Sequence, residues 1–163
     1  MPKISLNKTV KVPAETAWRL LAQDFVNVYR FHPGVESSYA VGETQAGVGT
    51  ERVCELYDGN DARERVVRFK ENSELGISII ESSLPLKSME VLVTLHSRGS
   101  NETEIRMDVE FEARGLVKVM HPVMKIKFAK LLGAMIEAME LHAITGQVIG
   151  KGGVPIPTSA AAA

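Results

Sequence analysis

The order of segments along this chain constrains its fold more than any other feature. A strand-like segment over 3–12 is followed at once by a short helix that opens with Pro13, and about six further strand-like segments come next. The chain then forms one long, methionine-rich helix, roughly 122–145. A single apolar helix after a run of strands packs most simply across the concave face of a curved antiparallel sheet. We therefore expect an α+β fold, with a cavity wherever helix and sheet do not close on each other.

Alternation of polar and apolar residues locates the individual strands. It predicts strands over 35–41, 50–56, 62–70 and 76–81, and the sequence Asp58-Gly59 marks a hairpin turn between the second and third of these. Two longer alternating runs follow, formed by Met89, Val91, Val93 and Leu95 and then by Ile105, Met107, Val109 and Phe111. A second short helix is expected over 24–31, since His32-Pro33-Gly34 would end it.

The chain is expected to form a single domain over 1–146, followed by a flexible tail. Apolar residues in the final helix recur at spacings of three and four, and Gly146 is a candidate for its C-cap. Residues 147–163 are rich in glycine, proline and alanine, which is typical of a poorly ordered terminus.

Composition excludes several classes of function. The net charge is −1, and no charged stripe stands out, so nucleic acid and anionic membranes are not expected partners. Cys54 is the only cysteine, which favours a reducing compartment, and the N-terminus lacks the apolar core of a signal peptide. No apolar run reaches membrane-spanning length, so stable membrane insertion is not expected. We expect a cytoplasmic protein, either a monomer or a homodimer.

Arg52 and Glu64 form the most informative polar pair. They lie on opposite sides of the predicted Asp58-Gly59 hairpin, so antiparallel pairing places them nearly opposite each other on one face. If Arg52 points inward, so do Cys54 and Leu56, and the pair is a polar anchor in an apolar cavity. If Arg52 points outward, the pair is a surface salt bridge that stabilises the fold by roughly 0–1 kcal/mol.

The remaining chemically active residues give weaker signals. The four histidines, His32, His96, His121 and His142, lack metal-ligand spacing, so neither a metal site nor a cofactor is expected. His32 is a candidate general base near a cavity mouth, but the sequence fits a histidine that hydrogen-bonds within its own turn better. Cys54, flanked by apolar residues, fits a buried structural thiol better than a nucleophile.

The chain resembles a known superfamily. The run GVGTERVCELYDG over 47–59, Glu64 in the next strand and Leu84-Pro85-Leu86 are similar to the polyketide cyclase/dehydrase branch of the START-like helix-grip superfamily. The same branch is similar to plant abscisic acid receptors and pollen-allergen ligand carriers, and the resemblance covers about 2–146. It implies a seven-stranded antiparallel sheet wrapped around the C-terminal helix, a ligand cavity between them, and an inward Arg52–Glu64 pair.

Two loops depart from the hormone receptors. The turn at 56–61 matches their gate loop but is shorter and lacks its Leu-Pro, and Leu84-Pro85 stands where their latch loop has His-Arg. The resemblance therefore does not extend to hormone sensing by gate and latch.

Three functions remain open. The first is binding of a small hydrophobic or aromatic ligand; the second is a cyclase or dehydratase with Glu64, or else His32, as acid/base; the third is a lipid or quinone carrier. The expected ligand contacts combine the anchor, the mouth and the walls of the cavity: Arg52, Glu64, Cys54, Leu56, Tyr29, Phe31, Ile77, Ile79, Leu84, Leu86, Met89, Val91, Phe128, Leu132, Met135 and Met139.

Overall fold

Seven antiparallel strands form one curved sheet. The computed structural model describes residues 1–157, and the strand order is β1-β7-β6-β5-β4-β3-β2, so both edges come from the N-terminal third of the chain. The strands are β1 (Lys3–Val10), β2 (Val35–Val41), β3 (Glu51–Leu56), β4 (Asp61–Lys70), β5 (Glu74–Ser82), β6 (Leu86–Gly99) and β7 (Glu102–Ala113). The α+β fold expected from the order of segments is confirmed.

The helices lie where the sequence places them. Helix α1 (Ala14–Trp18) continues into a π-helical turn over Arg19–Gln23, and a 3₁₀ helix follows over Phe25–Arg30. A second 3₁₀ helix, Gly115–Met120, leads into the long helix α2 (His121–Thr145). Gly146 ends α2 with a φ of 71°, and its amide donates to the carbonyl of His142, which confirms the expected C-cap.

The core lies between the concave face of the sheet and α2. The alternating residues Ile105, Met107, Val109 and Phe111 are all buried, because successive strand residues point to opposite faces. The ring of Phe111 meets that of Phe128 edge to face, with 5.1 Å between the ring centroids. Aromatic packing of this kind holds α2 across the sheet, but it does not fill the whole space beneath the helix.

The start of the predicted tail is packed against the domain. Ile149 is fully buried, its amide donates to the carbonyl of Arg30, and the amide of Gly152 donates to that of Pro33. A flexible tail starting at residue 147 is therefore wrong for 147–157, because one buried isoleucine and these hydrogen bonds fix the segment. The remainder of the predicted tail, 158–163, lies outside the described residues.

Candidate functional site

An apolar cavity of about 130 Å³ lies between the sheet and α2. Its walls come from β2 to β7, from α2 and from the helical segments after β1. The candidate base His32 lines it, and so do most of the ligand contacts expected from the sequence: Arg52, Glu64, Cys54, Leu56, Phe31, Ile77, Ile79, Leu84, Met89, Val91, Phe128, Leu132 and Met135.

Three expected ligand contacts do not line the cavity. Met139 is fully buried one turn beyond Met135, where α2 already packs tightly on the core. Leu86 is buried at the start of β6 and borders a separate shallow depression. Tyr29 is partly buried in the 3₁₀ helix, where its ring lies beside the guanidinium of Arg30. For these three residues, the apolar pattern correctly indicated that the side chain is at least partly buried, but it did not indicate whether the side chain reaches the cavity.

The sequence analysis missed a further set of cavity-lining residues. Leu75 and Val93 continue the inward faces of β5 and β6, whose other inward residues were chosen, and Met107 lies in the alternating run of β7, so period-two alternation could have identified all three. The other missed residues lie in helical segments, at the start of a strand, or next to residues that were expected to contact the ligand: Leu21, Val28, Val35, Ala62 and Leu131.

Arg52 and Glu64 point into this cavity as an ion pair. They are direct partners in the β3–β4 ladder; Nε of Arg52 donates to the carboxylate oxygen Oε2 at 2.6 Å, and Nη2 lies 2.5 Å from the same oxygen. The Arg52 side chain is 8% exposed and that of Glu64 is 18% exposed. The alternative of a surface salt bridge is therefore excluded, since both charges lie in apolar surroundings.

Phe25 fixes the other side of the guanidinium. Nη1 of Arg52 donates to the carbonyl oxygen of Phe25 at 2.6 Å, and the guanidinium carbon lies 3.8 Å from the centroid of the Phe25 ring. Burial opposes the charge of Arg52, but the Glu64 carboxylate favours it, and the pKa of Arg52 is raised above its ordinary value. Arg52 is thus a charged group with a single, well-determined position.

One oxygen of Glu64 remains available. The hydrogen bond from Nε of Arg52, the close contact of Nη2 and the weak contact from the Cys54 thiol all go to Oε2, the last at 3.9 Å. Oε1 accepts no hydrogen bond from the residues the structure describes, and protein atoms do not seal it off. Because Glu64 lines the cavity, Oε1 is an acceptor that a ligand or water can reach.

The surroundings of His32 keep its ring neutral, with Nε2–H as a hydrogen-bond donor. The backbone amide of Gly34 donates to Nδ1 at 3.0 Å, which places the ring proton on Nε2. Burial, together with the nearby positive charge of Arg52, lowers the pKa of His32 to about 3. Its basic nitrogen is engaged and its basicity is low, so the geometry disfavours the general-base role that the sequence left open.

Cys54 is a buried thiol. It is 2% exposed, and burial together with the negative charge of Glu64 raises its pKa to about 12. A thiol of such high pKa stays protonated at neutral pH and is a poor nucleophile. This agrees with the structural role that its apolar sequence neighbours favour.

The cavity approaches solvent between two loops and the N-terminal half of α2. Leu131 on α2 lines the cavity and is 38% exposed, and Leu56, Ile79, Leu84 and Phe128 are partly buried. The β3–β4 turn and the β5–β6 loop are joined there, because the Ser83 hydroxyl accepts from the amide of Asp61 and donates to the side chain of Asn60. Phe31, expected near the mouth, is instead buried at 2% exposure.

Other kinds of site leave no trace in the described part of the chain. Among residues 1–157, no group of three or more His, Cys, Asp or Glu side chains is placed to hold a metal ion. Within the same residues, no helix is long and apolar enough to cross a membrane.

The sheet, the enclosed helix and the cavity between them define a helix-grip protein. The sequence model of the family "Polyketide cyclase / dehydrase and lipid transport" matches residues 1–142, and the chain belongs to this family. No curated protein matches the sequence significantly.

Solved structures share the fold at low sequence identity. An aromatase/cyclase from a Streptomyces species superposes with a TM-score of 0.75 at 14% identity, over 88% of this chain and 93% of that one. A point mutant of norcoclaurine synthase from Thalictrum, in complex with a transition-state analogue, gives 0.68 at 16%, over 89% and 95% of the two chains. A major latex-like protein from Panax ginseng gives 0.70 at 14%, over 88% and 97%. At such identities the likeness concerns the fold alone.

Proposed function

We propose that this protein binds a small, mostly apolar molecule that carries a hydroxyl group, with the hydroxyl at the Arg52–Glu64 pair. The observation that carries the proposal is the free Oε1 of a carboxylate that is already neutralised by a buried arginine. Everything else around the cavity is predominantly apolar, which suits a hydrophobic ligand held in orientation by one polar contact.

The ion pair is difficult to explain by stability alone. Removing two charges from water costs several kcal/mol per ion in effective terms, and a well-packed apolar pair of similar size is often equally or more stable. A pair kept inside an apolar cavity, with one acceptor left over, is accounted for if it recognises a ligand.

The charge balance of the Arg52–Glu64 pair determines which polar group of a ligand it can bind. Arg52 and Glu64 neutralise each other, so a ligand carboxylate would bring an unpaired negative charge into the cavity. A hydroxyl instead donates to Oε1 of Glu64, and it can accept from a nearby donor such as Nε2–H of His32. The anchor therefore favours an alcohol or a phenol over an acid.

The volume limits the size of the ligand. An apolar cavity of about 150 Å³ holds benzene, and this one measures about 130 Å³. A single substituted ring fits that space, while a fused-ring molecule requires the loops and α2 at the mouth to move apart.

A calorimetric titration with three matched probes tests the proposal. p-Cresol, toluene and p-toluate share one ring and differ in the polar group. We expect p-cresol to bind about ten- to a hundredfold more tightly than toluene, as one satisfied hydrogen bond to a charged group contributes about 1.5–3 kcal/mol, and p-toluate to bind weakest. Tightest binding of p-toluate, or no binding of any probe, would contradict it.

A second candidate is a cyclase or dehydratase, which the family description favours. Glu64 is the one group at this site with a free proton acceptor, so Oε1 would have to act as the base. A partner acid is harder to name, because the His32 ring and the Cys54 thiol are both held neutral. Turnover of a polyketide-like substrate that disappears in Glu64→Gln would move the assignment from binder to enzyme.

A further inference from the structure

Large apolar side chains are exposed together on one part of the surface. Leu116, Val119 and Ile126 are 90%, 82% and 71% exposed, and Met120 and Val123 are 49% and 45% exposed. Single exposed apolar residues are ordinary on a protein surface, but a contiguous group marks an interaction site. We refer to residues 116–130 as the 116–130 surface.

The spacing of these residues gives the surface a single outward face. Val123, Ile126 and Lys130 recur at intervals of three and four, so they follow one side of α2. Leu116 and Val119, three residues apart, share one side of the 3₁₀ helix that precedes it. The opposite side of α2 carries Phe128, which lines the cavity. The helix is therefore apolar on both sides, and one of those sides has no partner within the described chain.

The same segment is strongly basic. No acidic residue occurs between Glu112 and Glu137, while the intervening positions include Arg114, Lys118, Lys125, Lys127 and Lys130. Lys118 pairs with Glu112, and Lys125, Lys127 and Lys130 are exposed and form no ion pair within residues 1–157. The net charge of −1 conceals this cluster, because acidic residues elsewhere balance it.

We propose that the 116–130 surface docks onto an anionic phospholipid bilayer. Apolar side chains such as Leu116, Val119 and Ile126 enter the interface between headgroups and acyl chains, while the lysines contact lipid phosphates. This is peripheral binding, without a spanning segment. It revises the expectation that anionic membranes are not partners, which was drawn from the net charge of −1 and from the absence of an evident charged stripe.

Charge complementarity favours a bilayer over a second copy of this chain. A two-fold interface places the same surface patch on both subunits, so the two lysine clusters would face each other. Like charges brought together in this way repel, whereas lipid phosphates attract the same lysines. A negatively charged surface that also accepts apolar side chains is the occupant that fits both features.

The 116–130 surface adjoins the mouth of the cavity. The cavity-lining residues Phe128, partly buried, and Leu131, 38% exposed, lie on the same turns of α2 as Lys127 and Lys130. Docking would bring the mouth close to the membrane, which suits transfer of an apolar molecule. The docking proposal does not depend on which ligand the cavity holds.

Co-sedimentation with vesicles tests the proposal. The full chain is mixed with vesicles of phosphatidylcholine alone or of phosphatidylcholine with phosphatidylglycerol. We expect binding only to the second kind, and weaker binding as salt is raised, since screening shortens the reach of the lysines. Protein that stays in the supernatant with both kinds of vesicle, or that binds both equally, would overturn the proposal.

Two variants with a matched control locate the contact. Leu116→Ser/Val119→Ser/Ile126→Ser removes apolar contacts, and Lys125→Gln/Lys127→Gln/Lys130→Gln removes charge; each is expected to weaken vesicle binding by at least about tenfold. The control, Val48→Ser/Val67→Ser/Val154→Ser, changes exposed valines elsewhere and should bind like the wild type.

The same variants separate the bilayer from other occupants. Thermal unfolding confirms that each variant remains folded before its binding is measured. Unchanged binding in both test variants would overturn the assignment to the 116–130 surface. Self-association of the wild type that the apolar variant abolishes, without vesicle binding, would instead assign the surface to a second copy.

Discussion

Arg52 on β3 and Glu64 on β4 face each other across the antiparallel ladder, and their side chains meet inside an apolar cavity, with 2.6 Å between Nε and Oε2. Nε and Nη2 of Arg52 both contact one carboxylate oxygen, and the other oxygen accepts no hydrogen bond from residues 1–157. The pair is therefore neutral as a unit and still able to accept one hydrogen bond, and the account of ligand binding depends on that combination.

Removing the whole pair is expected to be much less harmful than breaking it. Arg52→Met alone and Glu64→Leu alone each leave an unpaired buried charge and should destabilise the fold by about 3–5 kcal/mol. The double variant should recover most of that loss, but it should no longer prefer p-cresol to toluene. Urea unfolding of the four proteins measures the coupling. Additive losses of stability, or a preference for p-cresol that survives in the double variant, would count against a buried anchor.

Stability should fall at acidic pH because of His32. Burial and Arg52 lower its pKa from the ordinary 6.5 to about 3. Below pH 6.5 the histidine is protonated in the unfolded chain but stays neutral in the native protein. Protonation therefore favours unfolding, and the free energy of unfolding falls between pH 6.5 and about 3, by up to about 1.4 kcal/mol per pH unit. His32→Asn, which keeps an acceptor for the Gly34 amide, should show a shallower decline when unfolding is followed at pH 6.5 and 4.5. His96→Asn, at an exposed position, is the matched control; equal slopes in both variants would refute the assignment.

The thiol of Cys54 should resist labelling in the folded protein. It is 2% exposed and its pKa is raised to about 12, so little reactive thiolate is available at neutral pH. We expect Ellman's reagent to react slowly with the native chain and rapidly after denaturation in urea. Labelling of the native protein as fast as that of the unfolded chain would show that the cavity wall at β3 is open.

A methyl group at Gly76 should destabilise the sheet. Gly76 pairs with Arg68 beside a register shift in β4, and an added Cβ would lie 2.8 Å from Cβ and 3.3 Å from the amide nitrogen of Arg68. We expect Gly76→Ala to lower the free energy of unfolding by about 1–3 kcal/mol. Gly133→Ala is the matched control, since its Cβ would meet only the end of the Lys8 side chain, at 3.4 Å, and alanine favours a helix. Equal effects of the two substitutions on the free energy of unfolding would mean that the backbone at the register shift moves aside for the added methyl group at little cost.

Local patterns in the sequence were sufficient for the fold. The second strand begins at Val35 and ends at Val41 as predicted, because period-two alternation and the flanking turn residues both mark it. The Arg52–Glu64 register follows from counting outward from the Asp58-Gly59 turn. Only the resemblance to helix-grip proteins favoured the inward orientation, since a cross-strand ion pair has the same spacing on either face of a sheet.

Other features depend on packing that no local pattern records. Met135 and Met139 lie four residues apart on the same side of α2, yet only Met135 lines the cavity, whereas Met139, one turn further along the helix, is fully buried in the core. The hydrogen bond from Gly34 that occupies Nδ1 of His32 is fixed by the conformation of the turn. Burial of Ile149 is likewise a tertiary contact, so a segment rich in glycine and proline was mistaken for a flexible one.

Methionine methyl NMR with p-cresol tests whether the cavity between the sheet and α2 binds a ligand. Met89, Met107 and Met135 line the cavity, whereas Met1 and Met120 are 64% and 49% exposed and serve as internal references. The account predicts saturable shifts of the three cavity methyl signals, with those of the two references unchanged. Shifts confined to Met1 and Met120, or none at the solubility limit of p-cresol, would contradict a ligand-binding cavity anchored by Arg52 and Glu64.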